Sequence, residues 1–415
     1  MISGAWRRWR SLRPSTRRAV WATVGIANAR WPRRYNRVLQ TPSFFWGWLD
    51  TELAFPILAV HSWRAWRSRN LTDAQGVVAA SLSVVSAVGL ASFIAEGVAT
   101  DDQFAAALAP HLSAEDIAAR PPSVRAGAWF PLLYGGRGRR VRTRDVVFTP
   151  EGSTHRRRLD VYEPTAPWDG VTRRPAIVQI HGGGWVIGDK REQGIPLLNH
   201  LAANGWVGFN VNYSLAPRSR APQQLIDCKL ALAYIKAHAD EYGIDPDFVC
   251  VTGGSAGGHL AALMALTAND PAFQPGFTEV DTSVAAAVPF YGVYDLVDDE
   301  HLMIKGFRQM LIEPLLFDTK FTEDEISYRA YSPYSRIHAD APPMMVVHGS
   351  RDTLVPVEVA RRFAAELARV STSPVVYTEL YGANHAFELF PSPRTVRTIE
   401  YVERFLDGVH RGVIK

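Results

Sequence analysis

The stretch FVCVTGGSAGGHLAAL, residues 248–263, decides how this chain folds. Its opening FVCVTG predicts a buried strand, and residues 256–268 follow with the composition of a helix. Gly253 to Gly257 joins the two elements and fits Gly-x-Ser-x-Gly, a tight turn that strains the serine backbone and exposes its hydroxyl. Ser255 is therefore the candidate nucleophile; a glycine-rich turn that only packs a helix on a sheet is the alternative.

Strand-like runs alternate with helical runs on both sides of this turn. The runs at 141–149 and 157–164 predict an opening antiparallel pair. Further strands are predicted at 176–180, 206–213, 284–290, 343–349 and 375–382, and helices at 194–204, 225–238, 356–369 and 394–408. This alternation predicts an α/β fold, with a mostly parallel sheet and helices on both of its faces.

A second glycine-rich loop, HGGGW at 181–185, directly follows the strand at 176–180. Three consecutive glycines leave backbone N–H groups free to point at an oxyanion. A phosphate-binding loop is the competing use, but the sequence has neither a following Gly-Lys-Ser/Thr nor Gly-x-Gly-x-x-Gly here. The histidines show no metal-ligand spacing, so we expect no metal and no other cofactor.

An acid and a histidine are expected after the nucleophile, in the chain order Ser, Asp, His. Asp352 follows the strand at 343–349, and His385 follows the strand at 375–382. Both residues come just past the carboxyl end of a strand, where the catalytic groups of open α/β sheets gather. A lone aspartate after a strand is more often a turn residue. The glycine loop, the nucleophile turn, the aspartate and the histidine nevertheless occur in the expected chain order. Together they predict a catalytic triad of Ser255, His385 and Asp352.

Residues from about 130 to 415 resemble α/β-hydrolases of the hormone-sensitive-lipase-like esterase group. The resemblance rests on HGGGW at 181–185, NYSLAP at 212–217, GGSAGG at 253–258, HGSRDTLVP at 348–356 and GANHAF at 382–387. It implies an α/β-hydrolase fold and hydrolysis of short to medium acyl esters through an acyl-enzyme. It also implies an oxyanion hole made by the N–H groups of Gly183, Gly184 and Ala256. Glycine stands at 254, where this group commonly has aspartate.

The same motifs are also similar to feruloyl-esterase-like and formamidase-like relatives, so an amide or formamide substrate stays open. A non-catalytic binding module with this fold is a further alternative, which the presence of all three triad residues disfavours. Between residues 292 and 333 the chain leaves the sheet pattern, and dense apolar residues predict a helical insertion. That insertion either only packs on the core or forms a cap wall over Ser255 that binds the acyl group.

The first 110 residues differ in composition and predict a helical, membrane-associated region. Residues 1–40 contain ten arginines and no acidic residue, which leaves 35 basic and 41 acidic residues in the rest of the chain. Residues 41–415 are therefore mildly acidic, which argues against nucleic-acid binding by this part of the chain. Residues 77–95 are nineteen uncharged residues, long enough to cross a bilayer; a buried helix of a soluble domain is the alternative. Residues 19–29 predict an interfacial helix, in preference to a cleavable export signal.

Residues 43–60 are aromatic and apolar but contain Asp50 and Glu52, which fits an interfacial, re-entrant or helix-packed segment. If 77–95 alone spans, the positive-inside rule puts residues 1–70 in the cytoplasm and the hydrolase across the membrane. If 43–60 also spans, the hydrolase returns to the cytoplasm.

The predicted organisation has three parts. Residues 1–110 form the membrane-associated region, 111–140 a linker that approaches the cap, and 141–415 the α/β-hydrolase catalytic domain with its insertion at about 292–333. The expected partners are a small-molecule or lipid ester and the membrane, and the oligomeric state is left open.

Overall fold

The structure is a computed structural model that describes residues 9–32, 39–68, 72–118, 140–149 and 157–414, together with Trp6 and Trp129. Most of the predicted linker at 111–140 lies outside the described residues. Part of the arginine-rich arm, including Arg7 and Arg8, also lies outside them.

One mixed sheet forms the centre of the catalytic domain. Its strands within the described residues are β1 Arg140–Val147, β2 Arg158–Pro164, β3 Arg174–Ile180, β4 Val207–Val211, β5 Ile244–Gly254, β6 Ala287–Phe290, β7 Met344–Gly349 and β8 Val375–Leu380. They lie in the order β1-β2-β4-β3-β5-β6-β7-β8. β2 is antiparallel to both β1 and β4, and all other neighbours are parallel. The predicted mostly parallel sheet and its opening antiparallel pair are confirmed.

Helices precede the sheet and then alternate with its strands. They are α1 Pro14–Arg30, α2 Gln40–Glu52, α3 Ala54–Ser68, α4 Ala74–Val98, α5 Thr100–Leu108, α6 Ala114–Ala118, α7 Ile195–Ala203, α8 Gln223–Ala237, α9 Ala239–Tyr242, α10 Ala256–Leu266, α11 Glu325–Ala330, α12 Val357–Val370 and α13 Pro393–His410. One face of the sheet packs against α8, α10 and α12, and the other against α5, α7 and α13. Because both faces are covered, the buried parts of β3 to β7 are mainly apolar on both faces and do not alternate with polar residues.

The helices before the sheet pack together, and α1 runs parallel to α4. The backbone N–H of Arg13 donates to Gln75 at 2.8 Å, and Thr23 Oγ1 lies 3.1 Å from Ser86 Oγ. Contacts therefore advance along both helices in the same direction. The predicted helix at 77–95 lies inside α4, whose 25 residues give a length of about 37 Å. The predicted segment at 43–60 divides into α2 and α3.

Candidate active site

The nucleophile turn has the predicted strand-to-helix geometry. β5 ends at Gly254 and α10 begins at Ala256, while Ser255 between them adopts φ 58° and ψ −119°. A non-glycine residue with positive φ is strained. The packing of β5 and α10 must therefore hold Ser255 in this conformation. A Cβ atom at Gly257 would run into the carbonyl oxygen of Ile180. Only glycine therefore lets α10 start this close to β3, and Ser255 stays half-buried at the top of the sheet.

The loops after β7 and β8 bring the predicted acid and histidine together. His385 Nδ1 lies 2.6 Å from Asp352 Oδ2. The other oxygen, Asp352 Oδ1, accepts the N–H groups of Leu354 and Val355, each at 2.8 Å. Burial alone would raise the pKa of Asp352, but the charge of His385 and the hydrogen bonds from His348 and His385 hold it well below its usual range. The carboxyl group is therefore ionised at neutral pH and orients the imidazole.

His348 is a further contact of the acid, at the end of β7. Its Nε2 atom lies 3.3 Å from Asp352 Oδ2 and 3.0 Å from the carbonyl oxygen of Val355. The sequence places His348 at a strand end and indicates a structural role. The structure shows that His348 links the end of β7 to the loop that carries Asp352.

Asn384 ties the two loops to each other. Its Oδ1 atom accepts the N–H and the hydroxyl of Thr353, both at 3.2 Å, and the N–H of His385 at 2.8 Å. The N–H of Arg351 in addition donates to the carbonyl oxygen of Ala383 at 2.9 Å. The distance between acid and histidine is thus fixed by several bonds besides their own.

The glycine loop after β3 packs directly on the nucleophile turn. A Cβ atom at Gly182 would lie 3.1 Å from Ser255 Cβ. Gly183 and Gly184 have φ of 115° and 60°, conformations that glycine adopts without strain. Within the described part of the chain, the N–H groups of Gly183, Gly184 and Ala256 have no acceptor. They are free to bind an oxyanion.

His181 fastens this loop. Its Nδ1 atom lies 2.8 Å from the carbonyl oxygen of Gly182, and its ring stacks on Tyr213 with 4.4 Å between ring centroids. Tyr213 in turn donates its hydroxyl to the carbonyl oxygen of His181 at 3.0 Å. Burial lowers the pKa of His181, so the ring is neutral.

The predicted insertion reaches the glycine loop. It contains a π-helical segment, Arg308–Phe317, and Leu311 of this segment comes within 3.9 Å of the Cβ position of Gly184. Arg220 holds the segment by donating to the carbonyl oxygen of Pro314 at 2.7 Å. An apolar side chain of the insertion therefore stands beside Gly184 of the glycine loop.

Helix α2 packs on the loops that carry the acid and the histidine. Trp48 donates its Nε1–H to the carbonyl oxygen of Ala386 at 2.8 Å, and Gln40 donates to that of Thr353 at 2.5 Å. The ring of Phe44 meets the His385 ring edge-on, with 6.1 Å between centroids. Of the interpretations open for residues 43–60, the structure shows packing against the protein for α2.

The structure brings all six predicted site residues to the edge of the sheet where β3, β5, β7 and β8 end. Besides Phe44, the sequence missed Tyr291 and Glu388. The ring of Tyr291 lies 4.4 Å from that of His385, and Glu388 is a buried acid behind it. No local pattern marks either residue; the one clue is that Tyr291 directly follows a predicted strand.

Comparison with known proteins gives the family. The BD-FAE family model matches residues 159–367. "Probable carboxylic ester hydrolase LipM" of Mycobacterium tuberculosis is 40% identical, over 94% of this chain and 92% of its own length. The chain belongs to the BD-FAE family of α/β-hydrolases. "Esterase LipC" of the same organism is 39% identical over 75% of this chain and 76% of its own.

Solved structures agree with this family. The propionate-bound esterase Est2 of Thermogutta terrifontis superimposes with a TM-score of 0.55 at 28% identity, over 65% of this chain and 94% of its own. The relatives are named as esterases, and the protein is accordingly an enzyme that hydrolyses esters. The likeness to LipM extends into the helices before the sheet, whereas the likeness to Est2 covers a smaller share of the chain.

Proposed function

We propose that this member of the family hydrolyses carboxylic esters of short to medium acyl length with a triad of Ser255, His385 and Asp352. The observation that carries the proposal is the 2.6 Å contact between His385 Nδ1 and the ionised Asp352, in a loop next to the strained Ser255 turn. An amide hydrolase would use the same groups, but the named relatives act on esters.

The mechanism follows from the protonation states. With Nδ1–H donated to Asp352, the Nε2 atom of His385 is left to accept the proton of the Ser255 hydroxyl. The serine oxygen then attacks the ester carbonyl, and the N–H groups of Gly183, Gly184 and Ala256 bind the oxygen that becomes negative. His385 next gives its proton to the leaving alcohol, and water activated by the same histidine hydrolyses the acyl-enzyme.

Acyl length is set by the wall beside the glycine loop. Leu311 stands next to Gly184, and Ile187 contacts Gly183 with its side chain. Two apolar side chains this close to the oxyanion donors leave room for a short acyl chain. The Thermogutta esterase has been solved with propionate and with butyrate bound, which supports the same size class here.

The test compares Ser255→Ala with the matched control Ser335→Ala, an exposed serine outside the site. Hydrolysis of 4-nitrophenyl butyrate and labelling by a fluorescent alkylphosphonate are both expected to vanish in Ser255→Ala and to persist in the control. The Thermogutta esterase is phosphonylated by sarin, which supports this choice of probe. Undiminished turnover in Ser255→Ala would refute the assignment, and faster turnover of a laurate than of a butyrate ester would refute the acyl preference.

We further propose that α4 anchors the enzyme in a membrane. Among the described residues, the segment Ala74–Leu108 is the one helix long and apolar enough to cross a bilayer, and only 22% of its most apolar stretch is buried. The exposed residues of α4 recur every three or four positions and form an uncharged stripe that includes Val77, Val84 and Val88. Exposing such an apolar surface costs less free energy in lipid than in water.

The packing of the helices refines the predicted topology. Arg13 pairs with Asp73 at the start of α4, whereas Glu96 near its end pairs with Arg351 of the catalytic domain. A spanning α4 therefore puts Arg13 and the hydrolase on opposite sides. Residues 1–70 do not all lie on the side of Arg13, because Arg30 also pairs with Glu96 and α2 packs on the loops of Asp352 and His385.

Membrane association is tested on the full chain, because deleting the helices would also remove α2 from the catalytic loops. Val84→Glu combined with Val88→Glu places two charges on the exposed stripe of α4. We expect this variant to lose carbonate-resistant membrane binding, and the control Val171→Glu, on the catalytic domain and 82% exposed, to keep it. A wild-type protein found entirely in the soluble fraction would refute the anchor.

A further inference from the structure

A buried acid that the triad does not use lies behind the nucleophile turn. Glu388 is 8% exposed, and together with Gly254, Phe290 and Gln179 it lines a small cavity of about 10 Å³. Within the described residues its Oε2 atom has no hydrogen-bond partner. A carboxyl group kept in such a place is costly unless it serves a neighbour.

Tyr291 lies close by and contacts the catalytic histidine. Glu388 lines the cavity at Gly254, the Tyr291 hydroxyl lies against the same glycine, and the Tyr291 ring lies 4.4 Å from the His385 ring at an angle of 56°. The backbone of Tyr291 has φ 36°, a strained value for a side chain of this size. Its N–H donates to the carbonyl oxygen of Val347 at 2.8 Å, which holds the strained residue in position.

Gly254 makes room for this arrangement. A Cβ atom at Gly254 would lie 2.5 Å from the Tyr291 hydroxyl oxygen and 2.9 Å from two atoms of its ring. Real Cβ atoms do not approach other atoms this closely, so a larger residue at 254 would displace Tyr291. Position 254 commonly carries aspartate in the esterase group that this chain resembles. Here Gly254 leaves the space that Tyr291, directly after β6, occupies.

We propose that Tyr291 is a positioning residue for His385, and that Gly254 is required because the Tyr291 hydroxyl and ring occupy the space of a side chain there. The inference rests on the proposed triad. Asp352 fixes one atom of the imidazole, and the Tyr291 ring fixes the plane of that imidazole. Together they aim Nε2 at Ser255.

The experiment measures kcat, KM and the thermal midpoint of the full chain in detergent, with 4-nitrophenyl butyrate as the substrate. Tyr291→Leu removes the ring that contacts His385, and Tyr291→Phe keeps that ring. Tyr294→Leu is the control, because this equally buried tyrosine has its hydroxyl near Pro289 and stacks on Phe363 away from the triad.

We expect Tyr291→Leu to lower kcat about tenfold, the value of an aromatic ring pair of about 1.4 kcal/mol, with KM within about twofold. Tyr291→Phe keeps the ring and should retain most of the wild-type kcat. Gly254→Ala should reproduce the kcat loss of Tyr291→Leu, because its methyl group displaces the Tyr291 ring, and Tyr294→Leu should keep the wild-type kcat.

Wild-type kcat in both Tyr291→Leu and Gly254→Ala would overturn the inference, provided that Ser255→Ala is inactive. Activity that persists in Ser255→Ala would instead overturn the proposed function. If Tyr291→Leu fails to fold, by circular dichroism, the kcat of Gly254→Ala decides alone. A purely structural role of Tyr291 would lower the thermal midpoint without lowering kcat.

Discussion

Replacing Asp352 by asparagine tests the triad at its best-defined contact. In the wild type, Oδ1 accepts the N–H groups of Leu354 and Val355, both at 2.8 Å, and Oδ2 faces His385 Nδ1. The asparagine oxygen must take the Oδ1 position, because an amide NH₂ there would point at two N–H donors. The NH₂ group then faces Nδ1 and can only donate to it. His385 is forced into the tautomer with its proton on Nε2, which cannot accept a proton from Ser255.

The size of the loss follows from this wrong tautomer. The same change in a serine triad lowers kcat about 10⁴-fold, equivalent to about 5.4 kcal/mol of transition-state stabilisation. We expect a loss of this order in Asp352→Asn, measured with 4-nitrophenyl butyrate at saturating concentration. KM should change little, because the asparagine keeps the loop bonded through its oxygen.

The control for this measurement is Asp340→Asn, the same chemical change at an exposed position. It is expected to retain wild-type kcat. Circular dichroism and thermal melting show whether Asp352→Asn is folded. If the folded variant keeps more than about a tenth of wild-type kcat, His385 is not held by Asp352 during catalysis and the tautomer argument is wrong.

Three further changes test the fold around the site. Lys229 is buried, which lowers its pKa from 10.5 to about 8. The folded protein therefore loses the Lys229 proton at a lower pH than the unfolded chain does. The free energy of unfolding should therefore rise between pH 8 and 10.5, by at most about 3 kcal/mol, and Lys229→Met but not Lys236→Met should abolish that rise in urea titrations. Trp48→Phe removes a donor to the His385 loop and should lower kcat about tenfold, whereas the exposed Trp63→Phe should have no effect on the same assay. Gly257→Ala should lower both the thermal midpoint and kcat, because its methyl group pushes α10 away from β3; an unchanged midpoint would contradict the close approach seen there.

Much of the catalytic domain could be predicted because its signals are local. The strand before Ser255 and the helix after it are recognisable within sixteen residues, and Asp352 and His385 each follow an apolar run that reads as a strand. Chain order supplied the rest, since Ser, Asp and His occur in the sequence expected for this fold. These signals need no knowledge of which strands are neighbours.

Contacts between distant parts of the chain could not be predicted in this way. Glu52 pairs with Arg394 in the protein interior, although in the sequence it reads as a charge that makes 43–60 a poor membrane segment. Tyr291 and Glu388 meet only because β6 and the loop after β8 are brought together by the sheet. Each of these groups is buried against a residue that is distant in the sequence. Neither the burial nor the contacting residue can be predicted from composition.

The hydrogen bonds from Trp48 and Gln40 also bear on how such enzymes can evolve. An anchor joined only by a flexible tether could be exchanged between proteins without harm to the enzyme it carries. Here the segment that leads into the proposed anchor also supports the loops of Asp352 and His385. Both bonds end on backbone carbonyl oxygens, so an exchanged N-terminal segment keeps them only if it supplies the same two donors. A chimaera that takes its first hundred residues from a relative is therefore expected to be active only when that segment has tryptophan and glutamine at positions 48 and 40.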